Sequence, residues 1–143
     1  MRVLSQPRFT YPNFWKGQAW CDVDVYRADN QVLVLMRDHN DHGGTSLTNA
    51  QEDVATLIKD KLLKPHGLAR LQTTWVAWSR IDRIASRITF KQLPDGRLDN
   101  PQWRYLSPED LKELLTAFGG AEDLKRWIAS GEIVLRDLKK ETT

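Results

Sequence analysis

The densest group of chemically able side chains is the run Asp38-His39-Asn40-Asp41-His42-Gly43-Gly44-Thr45-Ser46. Imidazole and carboxylate both ligate divalent cations, so His39 and His42 with Asp38 or Asp41 could hold one ion, and a metal-bound water would make the chain a hydrolase. Two histidines in a loop fix no geometry, however, and catalytic zinc wants a third protein ligand and a base. A solvated turn, with Asp and Asn bonding their own backbone, accounts for the same residues. Gly43 and Gly44 offer a second option, backbone N–H groups converging on an anion at a helix start. Thr48 and Gln51 already answer the first helical donors, and no Gly-Lys-Ser/Thr follows a buried strand, so plain turn glycines explain the pair as well.

Asp22 and Asp24 fall on one face of a strand, where paired carboxylates could work as acid and base or hold a metal. A two-residue hairpin loop sets Arg37 opposite Asp22, so an ion pair is the plainer reading. Cys21 falls on the apolar face of that strand, where a thiol behaves as a small hydrophobe. His66 follows a helix stop and suits the negative end of the helix dipole.

A basic stretch with interleaved aromatics carries the stronger binding signal. Arg70, Trp75, Trp78, Arg80, Arg83, Arg87 and Lys91 lie on or between two strands, and nucleic-acid surfaces combine cations for phosphate with flat rings for bases. Tryptophans are also core residues, and strand arginines also shield sheet faces. Trp75 and Trp78 must occupy opposite faces of a regular strand. Six tryptophans in 143 residues permit a third reading. If Trp15, Trp20, Trp103 and Trp127 face outward, they are the kind of aromatic anchor that protein interfaces use.

The elements that must position these groups follow from periodicity. Residues 1–19 contain Phe9, Tyr11, Phe14 and Trp15 with Arg2, Arg8 and Lys16 and no acid, broken by Pro7 and Pro12. They read as an aromatic, basic extended arm. Trp20 to Tyr26 alternates strictly, Asp29-Asn30 turns the chain, and Gln31 to Arg37 forms a second strand pairing Val25 with Val34 and Val23 with Met36. A helix opens at the Thr48/Gln51 capping box and carries Ala50, Val54, Leu57, Ile58 and Leu62 on one stripe until Pro65-His66-Gly67. Gln72–Ser79 and Ser86–Leu93 read as strands, with Gln102–Leu106 a short edge. Ser107 caps a helix that Pro108 begins and Leu111, Leu114, Leu115 and Phe118 line; a shorter one runs from Ala121 to Ser130. Residues 139–143 read as a frayed tail.

Composition bounds the answer. A length of 143 residues suits one domain, and the single cysteine excludes an internal disulfide and a cysteine-rich zinc site. No secretory core and no apolar run of membrane-spanning length is present, so a cytoplasmic location is expected. Residues 21–58 carry seven acids against two bases, a balance of minus five, whereas residues 59–91 carry eight bases against two acids, a balance of plus six. Such asymmetry suits an anionic partner or self-association, or cancels within the fold. The sequence predicts an α+β domain over 1–143, an antiparallel sheet of four to five strands with about three helices packed mainly on one face. The expected function is a non-catalytic binding or adaptor domain that contacts another protein or itself and needs no cofactor. Nucleic-acid binding through Arg80, Arg83, Arg87 and Lys91 with Trp75 or Trp78 comes second, and a metal-dependent hydrolase built on the His39/His42 loop third.

Overall fold

A computed structural model describes the backbone of residues 2–13, 17–38, 51–79 and 83–135, and the side chains of these except 6–20 and 51–53. The 38–46 loop beyond Asp38, with His39, Asp41, His42, Gly43 and Gly44, lies outside the described residues, as do Trp15, Thr48, Arg80 and the 139–143 tail.

The chain is α+β, with one six-stranded sheet in the order β1 to β6: β1 (Arg2–Asn13), β2 (Gly17–Ala28), β3 (Gln31–Asp38), β4 (Gln72–Ser79), β5 (Ser86–Gln92) and β6 (Leu98–Tyr105). Helix α1 (Gln51–Ile58) lies between β3 and β4, and α2 (Pro108–Ala117) and α3 (Glu122–Ala129) follow β6. The β2–β3 hairpin has the register expected from alternation, with Val25 opposite Val34, Val23 opposite Met36 and Asp22 opposite Arg37.

Three expectations need correction. The sheet has six strands rather than four to five, because residues 2–13 of the extended arm add an edge strand paired with β2. Edge strands tolerate proline, and Pro7 falls in the register shift between Gln6 and Phe9. The sheet is mixed rather than antiparallel: β3 and β4 run parallel over eight residue pairs, joined by a crossover through α1. The helices cover both faces. Val32, Val34, Met36, Trp75, Ala77 and Ile88 meet Val54, Ala55, Ile58 and Leu62 of the α1 layer on one side. Leu33, Leu35, Val76 and Trp78 meet Leu114, Phe118, Leu124 and Trp127 of the α2/α3 layer on the other. Trp75 and Trp78 accordingly point to opposite faces.

Local chemistry ends the helices as the sequence implies. Ser107 Oγ accepts from the Asp110 N–H at 3.0 Å while Asp110 Oδ2 accepts from the Ser107 N–H at 3.1 Å, with Pro108 in the first turn. After α1 the chain widens to a π-turn over Lys59–Leu63, tightens over Lys64–His66 and stops at Gly67 with φ 72°. His66 Nδ1–H donates to the Leu62 carbonyl at 2.8 Å, which satisfies a terminal acceptor. No helix among the described residues is long and apolar enough to cross a membrane.

Candidate functional site: a cleft between two strands

The β4–β5 seam is the irregular part of the sheet. These strands pair only at Trp75–Ile88, Val76–Arg87 and Ala77–Ser86. Below Trp75, β4 stays in register with β3 through Thr74, Thr73 and Gln72, while β5 beyond Ile88 stays with β6 at Thr89, Lys91 and Gln92. Each strand keeps its outer neighbour and loses its inner one. A register shift in the β5–β6 ladder falls between Thr89 and Lys91, at the level where the β4 pairing has ended; such bulges raise local twist.

The opening is a cleft of about 450 Å³, within the range of about 300–1,000 Å³ usual for ligand sites. Gln72, Thr73 and Thr74 line one wall, and Thr89, Phe90 and Gln92 the other. Trp75 and Ile88, the last paired residues, close its upper end, and the Trp75 and Phe90 rings meet edge to face at 5.7 Å. Its rim carries Lys59, Arg70 and Arg87 and, among the described residues, no carboxylate.

The three cations are held differently. Lys59 Nζ donates to the Gly96 carbonyl at 2.8 Å, which orients the ammonium without neutralising it. Arg87 Nη1 donates to Asp110 Oδ1 at 3.2 Å, but Asp110 also takes two bonds from Arg104, at 2.6 and 2.8 Å. One carboxylate between two guanidiniums leaves a net positive charge. Burial alone would hinder Asp110 ionisation, yet the Arg104 and Ser107 donors outweigh it and hold the carboxyl at about 2. Arg70 lies in the turn before β4, exposed, with no carboxylate partner among the described residues.

The residues singled out from sequence are thus dispersed. Arg70, Trp75 and Arg87 line the cleft, and Lys91 is exposed on β5 beyond its edge. Arg83 is exposed at the turn before β5, with φ 64° and its carbonyl taken by the Val134 N–H at 2.8 Å. Trp78 is buried against Trp127 with ring centroids 4.7 Å apart, so Trp127 is a core residue rather than an outward one. Trp103 is 50% exposed on β6, edge to face with Tyr105 at 5.8 Å. Lys59, Thr73, Thr74, Thr89 and Phe90 were not anticipated. Their signal is the run Gln72-Thr73-Thr74, which is polar although it leads into the apolar Trp75–Trp78 segment.

Two further ionic clusters fasten helices to the sheet. Tyr26 Oη donates to Asp123 Oδ2 at 2.7 Å and accepts from the Asp123 N–H at 3.1 Å, while Arg2 and Arg126 reach the same carboxylate at 3.0 and 2.8 Å. Burial and the Asp123 bond push the Tyr26 phenol up to about 12. Asp24, beside this cluster, is buried, and its carboxyl is raised by desolvation that the Ser5 hydrogen bond only partly offsets. Arg37 pairs with Asp22 and with Glu132 and covers the Trp127 ring at 5.7 Å. Desolvation pushes the buried Cys21 thiol up, and the charges of Asp38 and Asp22 add to it, which leaves it a poor nucleophile. Among the described residues no three His, Cys, Asp or Glu side chains gather as metal ligands would.

No protein-family model, curated protein or solved structure matches this chain.

Proposed function

We propose that the chain is a non-catalytic, cytoplasmic binding domain that takes an extended segment of a partner protein between β4 and β5. The observation that carries this reading is the parting of two neighbouring strands that each remain paired on the far side. Backbone N–H and C=O groups that face an opening without a ladder partner are a template for strand addition. The threonines supply side-chain hydroxyls, and Trp75 with Phe90 supplies an apolar end.

Nucleic acid fits the same cations less well. Base stacking needs an open ring face, whereas Trp75 is 5% exposed with Phe90 against it, and Trp78 is buried in the opposite layer. The carboxylates with the strongest ionic neighbours, Asp110 and Asp123, cap a helix and tie α3 to β2 rather than line the cleft.

Selection of random peptides on the immobilised protein, followed by amide hydrogen exchange with the winners, tests this function. Bound peptide is expected to slow exchange at Gln72–Thr74 and Thr89–Lys91, and Thr89→Pro is expected to abolish binding while the α2/α3 layer keeps its protection. Protection confined to the β6 edge or to α2, or tight salt-sensitive binding of single-stranded oligonucleotides in place of peptides, would refute it.

A further inference from the structure

We infer that the segment received by the cleft is acidic, and that Arg70 is the residue that reads its side-chain carboxylates. The inference rests on the strand-addition function proposed above and narrows it to one class of partner. Three cations from three separate elements converge on the rim: Lys59 from the π-turn after α1, Arg70 from the turn before β4 and Arg87 from β5. Among the described residues no aspartate or glutamate lines the cleft. Of the three cations only Arg87 meets a carboxylate among the described residues, an Asp110 that it shares with Arg104, whereas several arginines elsewhere are matched. Arg37 has Asp22 and Glu132, Arg2 and Arg126 share Asp123, and Arg104 has Asp110.

Lys59 and Arg87 are fixed by their bonds to the Gly96 carbonyl and to Asp110, so their charge is in place before a ligand arrives. Arg70 is exposed and carries no such tie among the described residues, which leaves its guanidinium donors available for a bidentate carboxylate. Side chains of an inserted strand alternate between the two faces of the sheet. Lys59 approaches from the α1 face and Arg87 from the α2 face, where Asp110 holds it. Acidic residues on both sides of the strand therefore find a cation. A sheet seam lined with charge also excludes purely apolar strands, because closing over them would desolvate the cations without compensation.

Three dye-labelled octapeptides of one pattern test the inference by fluorescence anisotropy: Glu-Val-Glu-Thr repeated twice, and its Gln and Lys counterparts at the Glu positions. At low salt the Glu peptide is expected to bind about tenfold more tightly than the Gln peptide, with the gap narrowing as salt is added. Arg70→Gln should weaken the Glu peptide about fivefold, the scale of one exposed ion pair, and leave the Gln peptide unchanged. Arg70→Glu should weaken it further and improve the Lys peptide. Lys112→Gln, on the exposed side of α2, should change nothing. Equal binding of Glu and Gln peptides, with the cleft amides protected by both, would overturn the acidic preference and leave strand addition standing. Failure of all three to bind would overturn both. An eight-residue oligothymidine that displaces the Glu peptide and binds more tightly would also overturn both, assigning the cations to phosphate.

Discussion

Strand β4 has two unlike sides. Toward β3 it forms eight consecutive parallel pairs, with Leu33, Val34 and Leu35 fully buried opposite Thr74, Trp75 and Val76. Toward β5 it forms three pairs and then stops. The first seam is packed on both faces, Val34 in the core cluster shared with α1 and Leu35 in the one shared with α2 and α3. The second runs out of apolar residues below Trp75, where threonine and glutamine replace them. The contrast teaches that a sheet can spend its packing on one seam and leave the next open, and that the open one is where chain chemistry faces solvent.

Substitutions that separate the two seams follow in order of size. Leu33 and Thr74 are register partners, yet Leu33 is buried in the α2/α3 layer and Thr74 borders the cleft. Leu33→Ala should cost about 2–5 kcal/mol in urea unfolding, the range for a core truncation. Asp110→Asn should cost about 2 kcal/mol at neutral pH, since it weakens a helix cap and three charged hydrogen bonds. Because the folded carboxyl is held at about 2, below its unfolded value, that contribution is complete above roughly pH 5 and disappears as the pH falls toward 2. The Asn variant should therefore approach the parent's stability in acid. It should also free Arg87, the wall of the open seam, and alter peptide affinity.

Asp24 has the opposite sign. Its folded carboxyl is raised by burial, so the ionised form is disfavoured by the fold, and parent stability declines as the pH rises through the ordinary carboxylate range. Asp24→Asn is expected to gain on the order of 1 kcal/mol at pH 7 and almost nothing at pH 3, read from denaturation midpoints at the two pH values. The smallest effect belongs to Thr74→Ala, within about 0.5 kcal/mol of the parent. A large loss at Thr74, or a negligible one at Leu33, would erase the distinction between the seams.

The sequence makes some of this legible and hides the rest for physical reasons. The β2–β3 register is readable because Cys21, Val23 and Val25 alternate with Asp22, Asp24 and Tyr26, and a one-residue slip would turn every one of them over. The α2 cap is readable because Ser107, Pro108 and Asp110 each do one local thing. The parallel crossover was signalled by Val32–Met36 and Trp75–Trp78, unbroken apolar runs that mark strands buried on both faces. The order of elements alone, strands followed by helices, suggests helices on one side. Within the extended arm the edge strand is hidden, because Pro7 and Pro12 exclude a central strand but not an edge. The cleft has no motif, since it arises where pairing ends, and pairing is a property of two strands at once. Arg70, Trp75 and Arg87 could be named as candidates; that they share a cavity with Lys59 and the polar residues Gln72, Thr73, Thr74, Thr89 and Gln92 could not.

The inaccessible Cys21 has a practical corollary. A thiol sealed inside the α1 layer does not compete for maleimide reagents, so Thr89→Cys would give the molecule a single labelling position on the cleft wall. An environment-sensitive fluorophore attached there would register ligand entry as a colour change without background, turning the gap in the sheet into its own sensor.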